Sequence, residues 1–124
     1  MISLLVVDDE LGTLRSVYRV LKMKNYDVSA AYSVSEALET VKMLQDSEDA
    51  LDVIVTDIQM PEGTGMDLLK SIKEDYPDLP VVIITGFGNP EIEEEFRQAG
   101  CSDFINKPFR AEELIESINN IVTK

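Results

Sequence analysis

The sequence predicts an α/β fold, a parallel sheet of five strands covered by helices on both faces. Three observations carry that reading. Short apolar runs rich in Val and Ile recur at 2–7 (ISLLVV), 51–56 (LDVIVT) and 81–85 (VVIIT) with almost no polar alternation. Strands with one wet face alternate, whereas strands covered on both faces do not. Segments of helical period lie between the runs. Finally, the two kinds of segment alternate strictly with short links, which implies parallel strands joined by right-handed crossovers.

The elements follow in order. The first strand, 2–7, stops at Asp8-Asp9-Glu10, and Leu11, Leu14, Tyr18 and Leu21 then share one helical face. A weaker strand at 26–31 (YDVSAA) precedes a stripe of Val34, Leu38, Val41 and Leu44. The link Asp46-Ser47-Glu48-Asp49-Ala50 enters the third strand and carries no functional reading. Met66, Leu69 and Ile72 mark the third helix, and 81–85 is the fourth strand. Asn89-Pro90 reads as N-cap and first residue of the fourth helix, whose acids at 91 and 93–95 suit its positive end. Ile92, Phe96 and Ala99 form its thin apolar stripe, and Gly100 suits the position after its last turn. A weak strand at 101–105 (CSDFI) and a helix carrying Leu114, Ile118, Ile121 and Val122 close the chain. Glu93-Glu94-Glu95 reads as a solvated face and Cys101 as packing. With no repeat, low-complexity tract or linker, residues 1–124 read as one domain.

Composition narrows the function. Eleven Lys and Arg against 24 Asp and Glu give a net charge of -13, a poor match to a nucleic-acid backbone or an anionic membrane. There is no histidine, which removes Ser-His-Asp and Cys-His catalysis, His metal sites and a phosphohistidine carrier. The single cysteine removes disulfide frameworks and Cys-based zinc sites and fits a reducing cytoplasm. No apolar stretch approaches the roughly 20 residues of a membrane span, and none near the N-terminus reads as a signal peptide.

In parallel sheets of this kind ligands bind beyond the carboxyl ends of the strands. Asp8 and Asp9 follow the first strand, Asp57 the third, Thr85 ends the fourth, and Lys107 comes just after the fifth. Three carboxylates brought together must take up protons or hold a cation. An all-oxygen site favours a hard ion, Mg²⁺ first, which leaves room for a phosphate oxygen. Lys107 and Thr85 supply a positive point charge and a hydroxyl donor for a phosphoryl group, and Gly86 lets that group approach the backbone closely. An Asp at a strand end is common for structural reasons alone; five complementary groups around one crevice are the informative observation.

With VVDDE at 6–10, DIQMP at 57–61 followed by Gly65, ITG at 84–86 and AGCSDFINKPF at 99–109, the chain resembles, over its whole length, the receiver domain of bacterial two-component response regulators. The resemblance implies a flavodoxin-like sheet of order 2-1-3-4-5. It implies Asp57 as phosphoryl acceptor, with Mg²⁺, or Mn²⁺ or Ca²⁺ as substitutes, held by Asp9, Asp57 and the Gln59 backbone carbonyl, and by Asp8 largely through water. Lys107 would pair with the phosphoryl oxygens, and Thr85 would move to donate to them. Phe104 would then swing inward, and the face of the fourth helix, fifth strand and fifth helix would report the change. Gln59 and Phe87 lie closest to the line of hydrolytic attack and would tune dephosphorylation, Gln59 by orienting water and Phe87 by crowding it. The Lys107–Pro108 peptide would be cis, and Lys107 would be an exposed charge with little weight in stability. The phosphodonor would be a sensor histidine kinase or phosphotransfer protein. An output domain beyond Lys124 and a dimer through the reporting face are compatible partners; direct nucleic-acid or membrane binding by this segment is not.

Three other readings compete. An aspartyl-nucleophile phosphatase of the haloacid dehalogenase type wants a second acid two residues after its nucleophile, where this chain has Gln59. A flavodoxin wants a Ser/Thr-rich phosphate loop after strand one, where Asp8-Asp9-Glu10 would repel phosphate. A receiver that docks without phosphorylation shares every feature except the need for all five site residues. On the favoured reading the domain is not an enzyme; its chemistry is confined to its own phosphorylation and dephosphorylation.

Overall fold

Successive strand residues point to opposite faces, and that period of two sorts the core even where the sequence runs apolar without a break. The computed structural model describes residues 2–60, 63–86 and 88–123. Its main sheet consists of β1 (Ser3–Val7), β2 (Asp27–Ala31), β3 (Val53–Asp57), β4 (Val81–Thr85) and β5 (Asp103–Asn106). All pairs are parallel, in the order β2-β1-β3-β4-β5. The helices are α1 (Leu11–Lys22), α2 (Val34–Gln45), α3 (Gly65–Asp75), α4 (Pro90–Gln98) and α5 (Ala111–Val122). On one face Leu4, Val6, Val55 and Ile84 meet Leu14, Val17 and Leu21 of α1 and Leu114 and Ile118 of α5. On the other, Leu5, Val7, Ile54 and Ile83 meet apolar residues of α2, α3 and α4. This is the flavodoxin-like, three-layer arrangement.

The boundaries differ from the hydropathy reading in instructive ways. β3 starts at Val53 and takes in Asp57, so the acid ends the strand and does not merely follow it. Leu51 is buried but lies outside the ladder, and the Asp52 amide donates to the Ser3 carbonyl at 2.8 Å. β5 starts at Asp103 because the Cys101 amide still serves α4, donating to Phe96 O at 3.1 Å. In α1 the inward stripe is Leu14, Val17 and Leu21; Leu11 and Tyr18, expected on it, are 43% and 36% exposed. They sit on the flank that faces Ala30 and Tyr32 beside the edge strand.

Local signals set the helix starts. Asn89 Oδ1 accepts from the Ile92 amide at 2.9 Å, with Pro90 as first helical residue. Gly100 follows α4 at φ 104°, a left-handed conformation that glycine adopts without penalty. After β3 a short antiparallel ladder, Gln59–Met60 with Gly63–Thr64, leads into α3. Thr64 and Asp67 cap that helix reciprocally. The link at 46–50 is exposed throughout. Among the described residues no helix is long and apolar enough to cross a membrane.

Candidate functional site

Three charged side chains converge where β1, β3 and β5 end. The β1 ladder runs one residue past the strand, with the Asp8 amide donating to Ala31 O at 3.1 Å. Asp8 then turns the chain into α1: its Oδ1 accepts from the Glu10 amide at 2.9 Å. Its side chain is 1% exposed. Asp57 Oδ1 accepts from the amide of Ile58 at 2.6 Å, which leaves Oδ2 directed to the crevice. Across from both, the Lys107 amide donates to Thr85 O at 2.7 Å, one residue past the β4–β5 ladder. The Lys107–Pro108 peptide is cis. Lys107 Nζ lies 3.0 Å from Asp57 Oδ2 and 3.4 Å from Asp8 Oδ2.

Lys107 is therefore not the exposed charge of the sequence reading. Its side chain is 24% exposed and holds two carboxylates together. Burial pulls its pKa down, but the hydrogen bond to Asp57 and the charges of Asp8 and Asp57 outweigh that and leave it above the ordinary lysine value. Burial pushes the Asp8 carboxyl up; the Glu10 amide and the Lys107 charge oppose the rise without cancelling it, and Asp57 adds to it.

The expected cluster of three acids is a cluster of two. Asp9 is exposed, and among the described residues no group of three acidic side chains is placed to hold a metal ion. Asp9 lies in the bend after β1, where the Asp8 carboxylate turns the chain toward α1, and its side chain is left exposed. The donor chemistry still suits Mg²⁺, which takes one or two carboxylates and keeps several waters. Asp8 and Asp57 each present an oxygen to one centre.

Thr85 is fully buried at the end of β4, and Gly86 beside it is exposed, with nothing within 4 Å of where a Cβ would stand. Phe104 is already inward: it is 6% exposed and its ring packs at a tilt of 49° against Phe96 at a centroid distance of 5.9 Å. An exposed resting ring, which an inward swing would require, is not what the structure holds. Phe87 lies outside the described residues, as does the side chain of Gln59, so neither proposed tuning role has a geometry here.

Two further residues have structural roles that the sequence analysis did not assign, although Gly65 is among the motif residues. A Cβ on Gly65 would stand 2.5 Å from the Asp57 carbonyl oxygen and 2.9 Å from Ile58 Cα, so this glycine lets α3 start against the backbone of the acid. Asp103 ties α4 to α5: its Oδ2 accepts from Ser117 Oγ at 2.6 Å and its Oδ1 from Arg97 at 3.3 Å. Glycine after a strand-end acid was a signal for the first. Nothing in the sequence pointed to the second.

Residues 4–119 match the family model of the response regulator receiver domain. The chain belongs to that family. This receiver domain is 32% identical over 115 residues to the C4-dicarboxylate transport transcriptional regulatory protein DctD of Rhizobium meliloti, which covers 93% of this chain and 24% of DctD. It is 32% identical over 124 residues to the response regulator SaeR of Staphylococcus aureus, covering all of this chain and 52% of SaeR. The chain thus spans a quarter to a half of these relatives. Among solved structures, the beryllofluoride-activated NtrC4 receiver domain dimer superposes with a TM-score of 0.90 at 32% identity, covering 99% of this chain and 98% of that one. A response regulator receiver domain protein from Clostridium thermocellum gives 0.89 at 31% identity, covering 99% and 95%.

Proposed function

We propose that this receiver domain takes a phosphoryl group onto Asp57 from a phosphohistidine donor of a two-component system. The observation that carries the reading is the arrangement of Asp57 and Asp8 around one ammonium, Lys107 Nζ, at the strand ends. In the reaction an Asp57 oxygen forms a bond to phosphorus while the phosphorus–nitrogen bond of the donor breaks. The donor imidazole leaves with that electron pair. Lys107 exchanges its contact with Asp57 for the incoming phosphoryl oxygens and so prevents two anions from facing each other bare. Asp8, Asp57 and the Gln59 carbonyl, with Asp9 turned inward, would hold Mg²⁺, which supplies charge neutralisation for the transferred group. Thr85, next to Gly86, would supply a hydroxyl to the same oxygens. The protein otherwise contributes positioning.

The reading further supposes a sensor kinase or phosphotransfer protein as donor, a change reported on the α4-β5-α5 face, and an output carried by a larger protein or a docking partner. It confines the chemistry to the domain's own Asp57, with no separate substrate. The test is incubation with acetyl phosphate, with and without Mg²⁺, read by intact mass. One phosphoryl group added only with the metal supports the reading. No addition, with the fold intact by circular dichroism, would leave a docking module.

A further inference from the structure

The flank of α1 that faces the edge strand β2 concentrates what the rest of the surface lacks. α1 is the one described helix without an acidic residue, in a chain where acids outnumber cations by 24 to 11. It carries Arg15, Arg19 and Lys22, all exposed. None of the three forms an ion pair or a side-chain hydrogen bond among the described residues; the Lys22 ammonium instead lies 5.9 Å from the Tyr18 ring centroid. Of the other described cations, Arg97 is engaged with Glu93 and Asp103, Lys107 with Asp8 and Asp57, and Lys73 with the Pro77 and Leu79 carbonyls, whereas Lys24, Lys42, Lys70 and Arg110 form no ion pair; the α1 flank differs in gathering three cations without ion pairs along one groove. Like charges at i and i+4 weaken a helix by a few tenths of a kcal/mol, and this acidic chain had ample carboxylates to avoid them.

The same flank holds exposed apolar surface. Leu11, Tyr18 and Tyr32 are three of the five exposed large hydrophobics among the described residues. They line a groove of about 470 Å³ between α1 and the β2 edge, together with the three cations. A strip of unpaired cations alongside an apolar groove is the complement of an amphipathic acidic helix. The i, i+4, i+7 spacing of Arg15, Arg19 and Lys22 covers roughly 10 Å of helix, the same step at which carboxylates recur along a partner helix. Arginine forks favour carboxylates, which they bind in a bidentate way.

We propose that this α1–β2 groove docks an acidic amphipathic helix of a partner protein, with carboxylates on Arg15 and Arg19 and aliphatic side chains against Leu11, Tyr18 and Tyr32. Nucleic acid fits less well, because three cations cannot offset a domain of net charge -13 along a phosphate backbone. The surface lies on the far side of α1 from α5, so it is independent of the Asp57 reading.

The test uses a helix-forming peptide with Glu on one edge and Leu on the adjoining one, titrated into labelled protein and followed by amide shifts and fluorescence anisotropy. Shifts should centre on Leu11–Lys22 and Tyr32, and affinity should fall with added salt. Arg15→Glu/Arg19→Glu should weaken binding about tenfold or more while leaving acetyl phosphate labelling and melting temperature unchanged; Lys70→Glu on α3 should have no effect. No binding, equal binding of the peptide with Lys for Glu, or shifts centred on α4-β5-α5 would overturn the proposal. So would tighter binding of a short duplex DNA, or self-association that the double variant abolishes.

Discussion

The amide of Lys107 donates to the carbonyl of Thr85 at 2.7 Å. That single bond carries the β4–β5 ladder one residue beyond the strands and ties the backbone of Lys107 to that of Thr85. The two residues expected to bind the phosphoryl group are thus joined by backbone pairing, with the cis Lys107–Pro108 peptide just beyond it.

Lys107→Met tests what the ammonium does in the resting domain. Asp8 and Asp57 would then face each other without a shared cation, one of them almost fully buried. Loss of a partner from such a set costs about 1–3 kcal/mol. The variant should fold, unfold at lower urea concentration, and label poorly with acetyl phosphate. An unchanged urea midpoint would show that solvent already screens the pair.

Gly65→Ala and Gly86→Ala make a contrasting pair. At Gly65 the new methyl meets backbone atoms of Asp57 and Ile58, which cannot rotate away. Overpacking of this kind costs about 1–3 kcal/mol, and it displaces the acid itself. At Gly86 the methyl meets nothing, and alanine there should stabilise by about 0.4–1 kcal/mol through the unfolded chain. A fall in labelling by Gly86→Ala would then report on approach to Asp57 and not on folding. Thermal melts with parallel labelling assays check both.

Asp103→Ala should loosen α4. Removing the carboxylate cuts the link from Arg97 through β5 to Ser117 of α5. Amide exchange in Pro90–Gln98 should speed up while β1 and β3 stay protected. Equal protection in both proteins would mean that Phe96 packing against Phe104 holds α4 without help.

Tyr26 gives the fold an alkaline limit. Its ring is buried and its hydroxyl donates to Asn119 Oδ1 at 2.8 Å, pinning the edge of β2 to α5. Burial raises its pKa, so above the unfolded value of about 10 the native state holds a proton the unfolded state has lost. Its contribution is complete below that pH and is lost as pH rises. Tyr26→Phe should cost about 1 kcal/mol at pH 7 and should lose less stability on passing to alkaline pH. Parallel urea curves for both proteins would contradict this.

Much of the fold was legible because its signals are local. Val/Ile runs without alternation mark strands covered on both sides, and Asn89-Pro90 and Gly100 mark the ends of α4. Strand ends were less legible: Asp57 belongs to β3 because its backbone pairs, a fact that hydropathy does not encode. The α1 stripe failed for a related reason. Leu11 and Tyr18 have the right spacing for the inward face, but Val17 takes that place, and the two end on the flank toward the edge strand. At the site, residue types showed Asp8, Asp57 and Lys107, but the exposure of Asp9 follows from the bend by which the chain leaves β1 for α1, which residue type does not encode. The inward seating of Phe104 depends on Phe96 and on the close approach of Gly88, and spacing cannot reveal packing across elements.

The most direct test of the central claim is the position of the phosphoryl group. An aspartyl phosphate is reduced by borohydride to homoserine, which leaves a permanent mass mark in the peptide that carried it. Protein labelled with acetyl phosphate and Mg²⁺, then reduced and digested, should show homoserine at position 57 and nowhere else, and Asp57→Asn should show none. A homoserine at Asp8 or Asp9, or full labelling of the Asp57→Asn protein, would contradict the account.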